Sequence, residues 1–263
     1  MNKRHFLRSL LITALIGAST FALNAQADAL ASAEKSGVLR VAVPQDFPPF
    51  GTVGPDLKPR GYDIDVANLI ARELKLKVEL IPVSSTNRIP YLTTGKADLV
   101  ISSLGKNPDR EKVIDFSVAY APFFNGIFGP ADVSIKKVEE TAGKTVGVTR
   151  GSVEDLEFSK VAPASATVKR FEDNNATISA YLSGQVQLIA TGNVVAAAVN
   201  ESSKLRRLET KFLIKDSPCF VGVNKGEAAL LAKVNEVIGK LKRSGDLNKV
   251  ALRWLQAPLP GNL

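Results

Sequence analysis

The sequence predicts an α/β chain arranged as two βαβ-type lobes that the backbone connects twice. Three observations carry this. Short β-branched apolar runs alternate with segments of helical period, the pattern of α/β lobes built on parallel sheets. The alternation occurs in two series, one beginning at Val38 and one at Thr145. Two extended, proline-containing apolar stretches, 119–126 and 215–220, follow the first and second series and read as chain crossings between lobes. The expected division is a leader at 1–27, the first part of lobe one at 28–122, lobe two at 123–218, and a return to lobe one at 219–263.

The elements follow in order. Lys3, Arg4 and Arg8 precede an apolar run at 10–23 and then Ala25-Gln26-Ala27, the small-x-small pattern of a cleavable secretory signal peptide, with the cut after Ala27. That run is shorter than the roughly 20 residues a membrane-spanning helix needs, and no cysteine lies beside the cut to carry a lipid. Residues 38–43 read as a strand. In 62–74, Ile64, Ala67, Leu69, Ile70 and Leu74 recur at helical spacing, with Asp63 and Asp65 near the positive end of the helix dipole. A strand at 76–83, a short helix at 87–94 and a strand at 97–102 complete the first unit. The second unit runs strand 145–149, helix 153–160, strand 167–171, helix 174–182, strand 186–191. In both units a helix ends at a glycine, Gly95 or Gly184, and feeds a buried strand. Residues 227–255 are largely of helical period and return to lobe one.

Composition excludes several chemistries. The only histidine, His5, lies in the leader and the only cysteine is Cys219. A chain with no histidine beyond residue 27 cannot run a Ser-His or Cys-His nucleophile and lacks the imidazoles of most zinc sites. No metal or cofactor is expected. Cys219 has no intramolecular partner and reads as a buried thiol. The net charge of +8 includes three basic leader residues, and the remaining positive charges are scattered rather than gathered in a stripe with aromatics. Nucleic acid is therefore not an expected partner. The chain is expected to be a monomer.

In open α/β sheets, ligands bind beyond the carboxyl ends of strands, where loops enter helix N-termini. The loop after Val43 contains Asp46 and Phe47 between stiffening prolines. Phe47 reads as an apolar pocket wall and Phe50 as core. After the third strand, Ser102, Ser103 and Gly105 lead to Arg110. This loop can offer hydroxyl and N–H donors while Arg110 forks onto a carboxylate; alternatively Arg110 pairs with Asp109, Glu111 or Asp115. Thr149-Arg150-Gly151-Ser152 is a second donor-rich helix start, which an ordinary serine N-cap would equally explain.

The segments 37–43, 46–50 and 61–65, and the stretch from Ser102 through Arg110 to Ser117, resemble the periplasmic polar amino-acid-binding proteins of ABC importers across essentially the whole chain after the leader. The resemblance implies the two-lobed type II periplasmic-binding-protein fold, a non-enzymatic role in the periplasm, and an ABC permease in the inner membrane as partner. It places Phe47 against the ligand, makes Arg110 the partner of the α-carboxylate, and gives ligand contacts to Ser103, Gly105 and Ser152. Residues 84–90 resemble the acidic-amino-acid branch, which makes Ser85 and Arg88 specificity candidates. The implied ligand is a small carboxylate, a polar or acidic amino acid or a dicarboxylate.

One position departs from the family pattern. Gly192 stands where an aspartate usually receives the α-ammonium, and no acid occurs from 176 to 200. Either Asp46 or Glu154 takes that role, or the ligand lacks an amine. Two other functions fit the same fold: a ligand-sensing periplasmic subunit, and a dehydratase-like enzyme. The acid-free stretch and the absence of histidine speak against the enzyme.

Overall fold

The computed structural model describes residues 28–263; the leader and its cleavage after Ala27 lie outside the described residues. The first half of the chain runs α1 (Ala29–Ser36), β1 (Val38–Pro44), β2 (Asp46–Phe47), β3 (Gly51–Val53), β4 (Pro59–Arg60), α2 (Tyr62–Glu73), β5 (Lys77–Val83), α3 (Arg88–Thr93), β6 (Leu99–Leu104), α4 (Pro108–Glu111) and β7 (Ile114–Ala121). It continues with β8 (Phe124–Gly129), β9 (Thr145–Thr149), α5 (Val153–Val161), β10 (Thr167–Phe171), α6 (Asn174–Leu182), β11 (Leu188–Gly192), α7 (Asn193–Ser202) and β12 (Glu209–Asp216). It closes with β13 (Cys219–Asn224), α8 (Ala228–Ser244) and α9 (Asp246–Leu255).

Two five-stranded sheets form the lobes, in the orders β5-β1-β6-β13-β7 and β10-β9-β11-β8-β12. Each contains the three parallel strands that the two βαβ series predict, β5-β1-β6 and β10-β9-β11. Each sheet also carries antiparallel strands, which the parallel expectation did not include. The added strands lie in and beside the two proline-containing stretches. The chain leaves the first sheet after β7 and enters the second at β8 across Pro122-Phe123. It returns from β12 to β13 across Ser217-Pro218. A small sheet of β2, β3 and β4, the helices α1 and α7, and the continuation of the crossings as strands carry little periodic signal in the sequence.

Burial follows the periodicity. β1 is sealed at Leu39, Val41, Ala42 and Val43, and α2 covers it with Ile64, Val66, Ala67 and Ile70. The return is fixed by α8, which buries Leu230, Val234, Val237, Ile238 and Leu241, and by α9, whose Trp254 indole donates to Asp65 at 2.7 Å. Beneath the first lobe's loops lies a polar anchor. Asp63, fully buried in the first turn of α2, accepts from Tyr120 Oη at 2.6 Å and from the Ser103 N–H at 2.7 Å. Ser103 is held at φ 41°, a left-handed conformation uncommon for a residue with a side chain. The end of β6 is thus tied to the start of α2, directly under the cleft.

Candidate ligand-binding cleft

The loops at the carboxyl ends of the parallel strands face one another across the two crossings. Between them lies a cavity walled by both lobes. Lobe one brings Asp46 and Phe47 after β1, Ser85 and Arg88 at the start of α3, and Ser103 and Gly105 after β6. Lobe two brings Asn125 from β8, Ser152 and Glu154 from the start of α5, and Asn174 from the start of α6. Phe123 and Ser217, one from each crossing, complete the wall. The lobes are drawn together: the space open to centres of water-sized molecules is about 20 Å³, little more than the ~10–15 Å³ one water needs. A ligand of amino-acid size enters such a site only when the lobes part.

Aromatic packing sets one wall. Phe47 lies with ring centroids 6.0 Å from both Phe50 and Phe123. Phe50 is fully buried beneath it.

Asp46 lines the cavity but is already engaged. Its carboxylate accepts from the Asn174 main-chain N–H at 2.6 Å and from Asn174 Nδ2 at 3.2 Å, joining lobe one to the N-terminus of α6. Arg88 is buried and donates Nε to the Ser85 carbonyl at 3.1 Å and Nη1 to the Ser102 carbonyl at 2.8 Å. Nη2 makes no hydrogen bond among the described residues. Burial lowers the Arg88 pKa, opposed chiefly by the negative charge of Glu154, yet the two form no ion pair among the described residues.

Arg110 stands elsewhere. It does not line the cavity; Nη1 donates to the Gly105 carbonyl at 2.7 Å and Nη2 to the Gly151 carbonyl of the other lobe at 2.9 Å. Burial and the like charge of Arg88 press its pKa down to about 9. With both terminal nitrogens on backbone carbonyls, its fork bridges the lobes in this closed arrangement.

The remaining candidates divide. Ser85, Ser103, Gly105 and Ser152 line the cavity, although the Ser103 N–H is held by Asp63 and the Ser152 hydroxyl caps α5 by accepting from the Asp155 N–H at 3.1 Å. A side chain at Gly105 would collide with Ser217 and Val153, so the lobe contact there needs glycine. Thr149 lies behind the wall, its hydroxyl bonded to Asn174 Oδ1 at 2.9 Å and Thr177 at 2.8 Å. Gly192 lies behind Phe123, whose ring fills the space a side chain would need.

Sequence reasoning did not single out Phe123, Asn125, Asn174 or Ser217. Phe123, Asn125 and Ser217 sit in stretches read only as crossings. The start of the helix at 174 follows a predicted strand, so the same strand-end rule could have found Asn174.

Two lobes hinged by two crossings, with buried polar groups of both turned into one closed cavity, define a two-lobed solute-binding protein. The chain belongs to the bacterial extracellular solute-binding proteins, family 3, whose model matches residues 39–257. It is 28% identical over 234 residues, 87% of this chain and 85% of the relative, to the ABC transporter glutamine-binding protein GlnH of Bacillus subtilis. Among solved structures, a mutant of the arginine-binding protein ArgBP from T. maritima superposes with a TM-score of 0.80 at 27% identity, covering 87% of this chain and 100% of that one. The ancestral amino acid-binding protein AncCDT-1, a precursor of cyclohexadienyl dehydratase, gives 0.79 at 29% identity, covering 86% and 99%.

Proposed function

We propose that this chain is the periplasmic substrate-binding subunit of an ABC importer, capturing an amino acid by lobe closure without catalysing a reaction. One observation carries the reading: Arg88 of lobe one and Glu154 of lobe two are both buried in the same cavity wall and unpaired with each other. A buried charge without a partner costs several kcal/mol, and a zwitterion between the lobes relieves both charges only when they close on it. The neutral and basic amino acids in the names of the glutamine- and arginine-binding proteins agree with a site holding one charge of each sign. An acidic ligand would bring surplus negative charge against Glu154.

A thermal-shift panel of the proteinogenic amino acids, with succinate and glutarate beside them, tests the reading. A ligand at about 100 times its dissociation constant stabilises by about 2.7 kcal/mol. At least one amino acid is expected to raise the melting temperature clearly. A flat response to every amino acid rejects the function.

A further inference from the structure

Among the described residues, four buried side-chain polar atoms lack any hydrogen-bond partner, and two of them, Glu154 Oε1 and Asn125 Oδ1, belong to residues lining the cleft. Both residues are almost completely buried, at 4% and 1% exposure. Both orphan atoms are acceptors. Asn125 uses its Nδ2 for a 3.4 Å bond to the Lys215 carbonyl, which turns the amide so that only the oxygen is unspoken for. Buried polar atoms are rarely left unpaired, because each omission costs about 1–3 kcal/mol and more for a charge. Two such acceptors in one cavity wall define what is missing: a group rich in N–H donors and, opposite a carboxylate, positively charged.

We propose that Glu154 and Asn125 receive the ammonium group of the ligand, so that this cleft requires an amine and rejects the matching amine-free acid. The proposal rests on the amino-acid reading above and deepens it. The other acid in the wall is not free to compete, since both Asp46 oxygens already accept from Asn174. Gly192 contributes no side chain and is screened by Phe123. The opposite end of the zwitterion meets Arg88, whose Nη2 remains without a bond, and the hydroxyls of Ser85 and Ser103, which make no hydrogen bonds among the described residues. Burial raises the Glu154 pKa, against the Ser152 hydroxyl, its own N–H and the positive charges of Arg88 and Arg110. An ammonium docked on that carboxylate would favour the ionised form again.

The experiment uses the wild-type chain and Glu154→Gln, titrated by calorimetry with L-glutamine against glutaramate, L-arginine against δ-guanidinovalerate, and L-alanine against propionate. The pair whose amino-acid member binds is the one read. Loss of the amine is expected to weaken binding to wild type by about 10- to 100-fold or more, the equivalent of a charge-assisted hydrogen bond. Glu154→Gln should weaken the amino acid by a similar factor and leave the amine-free acid unchanged. If the amine-free acid binds wild type as tightly as the amino acid, or if Glu154→Gln binds the amino acid with wild-type affinity, the assignment is overturned while the amino-acid reading stands. If no amino acid in the panel binds, both fall together. Should Glu154→Gln not fold, Asn125→Ala, which removes the second acceptor, takes its place with the same expected selectivity and the same overturning result.

Discussion

The Phe123 ring occupies the space that a side chain at Gly192 would need. A Cβ built at Gly192 would fall on Cζ and Cε2 of that ring, and Phe123 is itself buried and part of the cleft wall. Gly192 ends β11 in register with Asn125 of β8, so neither strand can shift to make room without breaking the ladder. Gly192→Ala should therefore destabilise the fold by about 1–3 kcal/mol, the cost of overpacking. The double variant with Phe123→Ala should recover part of that loss relative to additivity. Urea unfolding of the four proteins of the cycle measures the coupling, and strict additivity would show that the ring moves aside freely.

Asp46 and Asn174 clasp the lobes directly, side chain to helix start. A carboxylate accepting two N–H groups at a helix start is a charge-assisted contact, and the helix dipole of α6 favours the negative charge there. Asp46→Asn keeps the size and removes the charge, and is expected to cost about 1.5–3 kcal/mol of closure free energy. The ligand-free variant should show a larger radius of gyration by small-angle scattering than the ligand-free wild type. Superimposable curves would mean that the clasp contributes nothing to closure.

Arg88 and Arg110 are both buried but face different partners, and the same substitution separates them. Arg88→Lys shortens the fork that borders the cavity, so amino-acid affinity should fall by about 1.5–3 kcal/mol with the ligand-free scattering curve unchanged. Arg110→Lys cannot reach both the Gly105 and Gly151 carbonyls, so it should open the ligand-free protein and lower affinity through that opening. If instead Arg110→Lys lowers affinity without altering the ligand-free shape, Arg110 swings onto the ligand carboxylate when the cleft fills, the role that family resemblance implies.

The extent to which sequence reveals the site follows from the kind of signal each residue emits. Phe47 could be read as a wall because it follows a predicted strand end between stiffening prolines, whereas Arg88 was reached only through the family resemblance of residues 84–90. Arg110 was legible as a functional residue type but not as a bridge, because its partners are carbonyls, which every residue possesses. The engagement of Asp46 by Asn174 joins positions 128 residues apart, and no local pattern encodes that distance. Phe123 and Asn125 were hidden by their setting in a stretch whose composition announces a crossing. The antiparallel strands were missed for a related reason: β8, which follows the first crossing, and β12, which precedes the second, pair side by side in lobe two, a contact that periodicity alone does not place.

Asp63 should make the stability of the fold fall as pH rises through neutrality. Burial pushes its carboxyl up from 3.8 to about 7, with the Tyr120 hydroxyl and the Ser103 N–H, and the more distant charge of Arg88, opposing the shift without cancelling it. In the unfolded chain the group ionises near its ordinary value. Between those two values the folded state holds more protons than the unfolded one, so the free energy of unfolding decreases with pH. The contribution is fully present below pH 3.8 and is lost progressively as pH rises through about 7. One proton sets the limit on the slope, about 1.4 kcal/mol per pH unit. Asp63→Asn resembles the protonated carboxyl in shape and can still accept from the Ser103 N–H while donating to the Tyr120 oxygen. It should fold and should show a flatter profile over that interval. Urea unfolding of wild type and variant at a series of pH values makes the comparison, and parallel profiles would show that Asp63 is ionised throughout. The effect reaches the cleft as well, because the same carboxylate holds Ser103 in its left-handed conformation. Ionisation strengthens both hydrogen bonds to Asp63, so the loop after β6 should exchange its Ser103 amide hydrogen more slowly above pH 7 than the intrinsic base-catalysed rate alone would give, and Asp63→Asn should lose that protection.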